Sequence, residues 1–325
     1  MTEAKVLFIH GVHPKVVDAI TSYTPDGFRT EALSADTPEE LLIEASKDAD
    51  FIVLHPARIA DNVLRAATHV RMVQILSAGF DGLNLDLIHE LEVPCANNGG
   101  ANSWAVSDHA VLLMLAVYKR LVVADASTRD GRWGEPITGL NTFEMANKLV
   151  GILGIGNIGR QVARRVQAFD AHVQYYDKYP LSEERERELN IERVSLEELF
   201  RSSDILTCHT PLTSETERIV NAQRLGMMKP TAVLINTSRG DVVDEGALID
   251  ALNAGTIAGA GLDVFEQEPV DPDNPLLKMD NVIATPHAAG GTWDTWFRRA
   301  EFAYANIARV WAGDEPQSLL SDYEA

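Results

Sequence analysis

The sequence predicts an α/β protein of two domains, each built on a parallel β-sheet covered by helices. Three observations carry this expectation. The chain has 325 residues, more than one compact core usually organises. Short apolar runs alternate with amphipathic segments from the start, which is the rhythm of βαβ units. That rhythm restarts, more strongly, at about residue 148.

In the first half, "KVLFIH" (5–10), "DFIVLH" (50–55) and "VRMVQIL" (70–76) are predicted strands. "DTPEELLIEASKD" is a helix in which Thr37 is expected as N-cap, Pro38 as first helical residue and Glu40 as partner in a capping box. "NLDLIHEL" (84–91) is a further helix, and one long helix is expected over roughly 104–124. In the second half, strands are predicted in "KLVGIL", "HVQYYD", "DILTCHTP", "AVLINTSRG", "AGAGLDVF" and "NVIATPH", with a helix in "RQVARRVQAF". "SLEELFRS" and "DEGALIDALNAG" are helices capped by Ser195 and Asp244, the second stopped by Gly255. The last helix, about 292–312, spaces Trp293, Trp296, Phe297, Ala300, Ile307 and Trp311 by three or four residues, as core or dimer-interface positions would be.

Composition narrows the function classes. A net charge of −20 repels a phosphate backbone, so nucleic acid is not an expected partner; an anionic small substrate would need local positive charge. The two cysteines, Cys95 and Cys208, lie in apolar runs, so a disulfide scaffold is not expected and a reducing, cytoplasmic setting fits. "MTEAKVLFIH" has no signal-peptide pattern, and "AVLLMLAVY" (110–118) is too short to span a bilayer, so no membrane association is expected. No metal is expected.

"LGIGNIGR" carries G-x-G-x-x-G at Gly154, Gly156 and Gly159, between a predicted strand and a predicted helix. Asp177 ends the next predicted strand, 23 residues after Gly154, which is the dinucleotide-binding spacing of a Rossmann-like unit. Gly154 allows the tight turn, Gly156 lets a pyrophosphate approach, and Gly159 lets the helix pack on the strand. The helix N-terminus, with Asn157 and Ile158, offers N–H groups to the phosphates. Asp177 would accept from ribose hydroxyls and repel a 2′-phosphate, which favours NAD over NADP; the neighbouring Lys178 weakens that preference slightly.

Ligands of open parallel sheets bind beyond the strands' carboxyl ends. Those ends carry Thr210-Pro211, Arg239, Asp263 and His287, with Glu268 shortly after one of them. Each residue alone has an ordinary explanation: a surface ion pair, a loop acid, a strand-end histidine. Together they provide a guanidinium to fork a carboxylate, an acid to orient an imidazole, and an imidazole to move a proton. Hydride transfer between a nicotinamide and a carbon bearing oxygen needs those three functions.

"GILGIGNIGRQVARR", "MMKPTAVLINTSRGDVVDEGALIDAL", "GAGLDVFEQEP" and "NVIATPHAAGGT" resemble, in order, signatures of the D-isomer-specific 2-hydroxyacid dehydrogenase family. The resemblance runs nearly end to end and is densest over 100–295. It implies two Rossmann-like/flavodoxin-like domains, with a coenzyme domain (102–287) inserted into a substrate domain (1–101 and 288–325). It further implies that Arg239 binds the substrate carboxylate and carbonyl, that His287 is the acid/base, and that Glu268 pairs with His287. "LSAGFDG" resembles the substrate loop, with Ser77, Ala78 and Gly79 receiving the carboxylate. Asp263 would bond the nicotinamide carboxamide, Val106 would pack on the ring, and Thr210, Pro211 and Thr237 would lie along the cofactor. Asp108 stands where the family usually has glutamate.

The implied activity is NAD(H)-dependent reduction of a 2-oxo acid such as glyoxylate, hydroxypyruvate or a larger one to the D-2-hydroxy acid, by a homodimer. Neither His55 nor Arg58 in "LHPARIAD" matches the arginine of the phosphoglycerate branch, and no regulatory domain follows residue 325, so 3-phosphoglycerate is disfavoured. Trp293 and Trp296 would wall the substrate pocket or pack in the core. The family also leaves open oxidation of a small anion such as formate or phosphite, and, from another class, an NADH-sensing corepressor-like binding protein.

Overall fold

A computed structural model describes residues 3–133 and 139–320. It divides into two compact units: one runs to Asn102 and resumes at Gly291, and the other is Ser103–Gly290.

The discontinuous unit holds five parallel strands, β1 (Ala4–His10), β2 (Phe28–Ser34), β3 (Phe51–His55), β4 (Met72–Ile75) and β5 (Cys95–Ala96), in the order β2-β1-β3-β4-β5. This is the flavodoxin-like order, with its strand-order reversal between β1 and β3. The alternation within β1 sorts its side chains to two faces. Leu7 and Ile9 join Ile52, Leu54, Val73 and Ile75 in one core layer. Val6 and Phe8 join Phe51, Val53 and Met72 in the other, where α12 (Trp293–Trp311) contributes Ala300, Ala303, Tyr304 and Ile307. The remaining helices of the unit are α1 (Pro14–Thr21), α2 (Glu39–Ser46), α3 (Asp61–Ala66) and α4 (Leu85–Glu90).

The cap expected for α2 is corrected by the structure. Pro38 is its N-cap and no side chain caps it. Thr37 belongs instead to the turn leaving β2, where its N–H donates to Ser34 O, so the helix starts later than its capping pattern suggests.

The continuous unit holds seven parallel strands, β6 (Leu149–Leu153), β7 (His172–Tyr176), β8 (Glu192–Arg193), β9 (Ile205–Cys208), β10 (Val233–Asn236), β11 (Gly259–Leu262) and β12 (Val282–Ala284). Their order is β12-β11-β10-β9-β6-β7-β8, a Rossmann arrangement extended by one strand. Its switch point lies between β6 and β9, the neighbours from which the strand order runs in opposite directions. One core layer packs Val150, Ile152, Ile205 and Ile235 against α5 (Ser103–Tyr118) and α7 (Asn157–Gln167). The other packs Leu206, Leu234 and Leu262 against α9 (Leu196–Ser202), α10 (Ala222–Leu225) and α11 (Glu245–Asn253). A short helix, α8 (Glu183–Leu189), precedes β8.

The single long helix expected over 104–124 is two helices. α5 ends at Tyr118, and α6 (Leu121–Arg129) begins after Arg120, whose left-handed backbone (φ 49°) interrupts the helix. The caps expected for α9 and α11 are present: Ser195 Oγ accepts from Glu198 N, and Asp244 Oδ1 from Ala247 N. No helix is long and apolar enough to cross a membrane among the described residues.

Candidate active site

The glycine loop lies between β6 and α7, at the switch point. Gly154 has φ +96°, and a Cβ there would stand 2.8 Å from the carbonyl of His209, so the loop after β6 lies directly on the loop after β9. A Cβ on Gly159 would stand 2.2 Å from Gly154 O, which fixes how closely α7 approaches its strand. A Cβ on Gly156 would meet nothing within 4 Å. Gly156 and Asn157 are exposed, and Gly156 is the N-cap of α7 with no side-chain cap bond. The first N–H groups of α7, at Asn157 and Ile158, therefore face an open side, as an anion-binding helix terminus requires.

Asp177 follows β7. Its Oδ2 accepts from Ile155 N inside the glycine loop at 2.7 Å, and its Oδ1 accepts from Tyr179 N at 2.8 Å. Lys178 points its charge into an ion pair with Glu215 at 2.7 Å, which balances the cation that follows the aspartate. Val106 is buried on α5. Asp108, also on α5, pairs with Arg165 of α7, so the shorter acid ties two helices of the unit together.

Beyond β9, His209 places Nε2 2.8 Å from Thr207 Oγ1 and Nδ1 3.4 Å from Thr237 Oγ1. Burial pushes its pKa down to about 3, so it is a neutral wall of the crevice. His209 is a residue that sequence reasoning missed; its position directly after an apolar strand at the switch point was the available signal. Thr210 and Pro211 follow it at the surface.

Arg239 follows β10, and the side chain of Asn236 shapes its loop by donating to Arg239 O (2.8 Å) and accepting from Ser238 N and Oγ. A Cβ on the next residue, Gly240, would stand 2.0 Å from the Phe265 carbonyl. The loops carrying Arg239 and Glu268 are therefore in direct backbone contact. Glu268 Oε1 accepts from Phe265 N at 3.1 Å, and Oε2 pairs with His287 Nδ1 at 2.7 Å. Burial pushes the Glu268 carboxyl up, but the bond and charge of His287, the Phe265 N–H and the Arg239 guanidinium outweigh it and hold the carboxyl below its ordinary value. An ionised carboxylate only accepts, so His287 Nδ1 carries a proton, and Nε2 has no partner among the described residues.

His287 itself has a left-handed backbone, φ 52°, uncommon for a residue with a side chain. Its N–H donates to Asp263 O at 2.7 Å. The Asp263 side chain completes the support: Oδ1 accepts from Thr285 Oγ1 (2.6 Å) and Ala288 N (2.9 Å), and Oδ2 accepts from Ala289 N (2.9 Å). Asp263 is 1% exposed. Its carboxylate thereby braces the loop that presents the histidine.

In the other unit, Ser77, Ala78 and Gly79 follow β4, with Ser77 Oγ donating to Gly79 O at 2.8 Å. His55, at the end of β3, meets Trp296 edge-on at 4.9 Å, and the Arg299 guanidinium lies 4.6 Å from the Trp296 ring centroid. Burial first, then the Arg299 charge, push His55 down to about 3. Trp296 therefore packs within its own unit, whereas Trp293 is 53% exposed and Arg58 is also exposed. Among the described residues no group of three or more His, Cys, Asp or Glu is arranged to hold a metal ion.

Residues 111–289 match the family model of the D-isomer specific 2-hydroxyacid dehydrogenase NAD binding domain. The chain is 39% identical over 291 residues to a glyoxylate reductase of Korarchaeum cryptofilum, covering 88% of this chain and 87% of that protein. Its structure resembles a glyoxylate reductase from Paecilomyes thermophila, with a TM-score of 0.85, 26% identity and complete coverage of both chains. It also resembles the NAD complexed form of a D-isomer specific 2-hydroxyacid dehydrogenase from Lactobacillus delbrueckii ssp. bulgaricus, with a TM-score of 0.80, 25% identity, and coverage of 97% of this chain and 99% of that one. The dinucleotide loop, the Glu268–His287 pair and these likenesses converge: the chain belongs to the D-isomer-specific 2-hydroxyacid dehydrogenase family.

Proposed function

We propose that the protein reduces a small 2-oxo acid to the corresponding D-2-hydroxy acid with NADH. The observation that carries this reading is the 2.7 Å Glu268–His287 pair, its Nε2 unpartnered among the described residues, on loops braced against that of Arg239 at the carboxyl edge of a dinucleotide-binding sheet. The open side of Gly156 and the acid at Asp177 fit NAD. Bound NADH supplies the hydride to the carbonyl carbon.

Every other part of the chemistry falls to this chain. Arg239 forks the substrate carboxylate and polarises the neighbouring carbonyl. The His287 Nε2–H gives its proton to the carbonyl oxygen, and Glu268 stabilises the imidazolium that must be present beforehand. Asp263 keeps the imidazole aimed. The Ser77–Gly79 segment belongs to this reading as a backbone donor for a carboxylate. The discontinuous unit is then the substrate domain and the continuous unit the coenzyme domain. Glyoxylate leads the candidates because the K. cryptofilum relative is a glyoxylate reductase, followed by hydroxypyruvate.

Two further parts of the proposal concern its setting. Trp104, Leu112, Leu121 and Val122, on α5 and α6, are each more than half exposed, and a second copy of the chain would cover them as a homodimer. Two buried free cysteines suit the reducing cytoplasm. The test is loss of NADH absorbance across a panel of 2-oxo acids, with NADPH in parallel and light scattering for mass. Turnover with NADH is expected. A protein that binds NADH and turns over none of the panel refutes the reading.

A further inference from the structure

Lys178, the residue after Asp177, is bound to an acid from another loop. Its Nζ donates to both carboxylate oxygens of Glu215, at 2.8 and 2.7 Å. Glu215 lies in the loop after β9. Because the sheet order there is β9-β6-β7, the pair reaches across the carboxyl end of β6, the strand that leads into the glycine loop. Local bonds hold both anchor points. Tyr179 N donates to Asp177 Oδ1 at 2.8 Å, which fixes the turn carrying Lys178. Thr216 Oγ1 accepts from Thr213 N at 2.8 Å and donates to Pro211 O at 2.6 Å, which fixes the turn carrying Glu215. Folded backbone thus delivers the partners to one another, although their side chains are 56% and 60% exposed.

An exposed pair of this kind adds little to stability. Its weight falls on the ligand. In dinucleotide sites an acid beside the adenosine ribose selects the free hydroxyls, and a neighbouring cation is what accommodates a 2′-phosphate. Here acid and cation are consecutive, Asp177 and Lys178, so the chain carries both opposing signals. We propose that Glu215 decides between them and is a specificity-determining residue for the cofactor. By occupying Lys178 it withholds that cation, so a 2′-phosphate must break the ion pair before it gains a partner, and then meets the freed carboxylate as well. NADH, with a hydroxyl in that place, leaves the pair intact. This inference rests on the reading of the glycine loop and Asp177 as the dinucleotide site.

Fluorescence titrations of the full chain with NADH and with NADPH test it, read as the ratio of the two dissociation constants; no substrate is needed. Glu215→Gln keeps the length and polarity of the side chain while removing its charge. It is expected to shift the ratio toward NADPH by roughly three- to tenfold, the effect of freeing one partly exposed charged hydrogen bond. The double variant Lys178→Ala/Glu215→Gln has neither charge and is expected to return close to the wild-type ratio. Glu217→Gln removes the same charge from the same exposed loop and is expected to move the ratio by less than about twofold, because an exposed charge acting from a distance is screened. Three results overturn the proposal: an unchanged ratio in a Glu215→Gln protein that binds NADH, a gain that survives in the double variant, or an equal gain in Glu217→Gln. Failure of the wild type to bind NADH refutes the dinucleotide reading itself, and this inference with it.

Discussion

Gly156 and Gly159 lie three positions apart in one loop, and the structure predicts opposite consequences for the same added methyl group. In Gly159→Ala the Cβ would stand 2.2 Å from Gly154 O, more than an ångström inside ordinary carbon–oxygen contact. Because that oxygen is backbone, α7 must move off β6 or the loop must open. Forced overpacking of this kind costs about 1–3 kcal/mol. For a unit of this size that is a fall in melting temperature of roughly 2–12 °C. In Gly156→Ala the methyl meets no protein atom within 4 Å, and the backbone, at φ −65°, needs no glycine. Stability should hold, or rise by about 0.4–1 kcal/mol as the unfolded chain loses freedom. The methyl instead occupies the side from which a pyrophosphate approaches the helix N–H groups, so NADH affinity should fall by about tenfold or more. Thermal melts of the apo proteins and fluorescence titrations with NADH measure both quantities. A Gly156→Ala protein that melts well below wild type, or one that binds NADH normally, would refute the assignment of open space to cofactor.

Replacing His287 with Gln should lower kcat by about 10²–10⁴ fold while NADH still binds; in the wild type, reduction should fade as pH rises and oxidation as pH falls, and steady-state rates in both directions check this. Asp263→Asn sets an amide N–H₂ or a weaker acceptor among groups that all donate, so it should cost about 1–3 kcal/mol of stability and lower kcat together, read by urea melts and turnover. Acid should destabilise the fold early: His55 and His209 sit near 3, so below about 6.5 the unfolded chain binds protons that the folded chain refuses. The slope is on the order of 1.4 kcal/mol per pH unit for each histidine. Unfolding free energies that stay flat between pH 7 and pH 5 would contradict the burial of those rings.

The parts of this molecule legible in its sequence are those whose local pattern already sets their place in the fold. The glycine loop is one: its three glycines do separate jobs in space, and all follow from a strand turning into a helix. The order Arg239, Glu268, His287 is another, because parallel strands deliver their ends to one edge whatever lies between. What escaped was decided by distant neighbours. β2, "FRTEALS", is an edge strand whose half-polar composition gave no apolar run to find. The break at Arg120 lies inside a helical pattern, where no glycine or proline announces it. The bracing by Asp263 was hidden because a buried carboxylate is held by whatever donors surround it, and here those are the Thr285 hydroxyl and the N–H groups of residues 288 and 289, supplied by the following loop. His209 became notable only once its strand was seen to flank the switch point.

The left-handed backbone at His287 narrows the alphabet of that position. Most side chains lose about 1–2 kcal/mol there, whereas glycine loses little and asparagine and aspartate are readily accommodated. A descendant of this chain that gave up turnover but kept its fold and its dinucleotide site would drift most easily to Asn or Gly at position 287, not to Lys, Thr or Val. Asparagine could still donate toward Glu268 while having no proton to move. A sequence with the glycine loop intact and Asn in that place would thus mark an enzyme turned receptor, and the backbone angle is what would make the substitution recognisable.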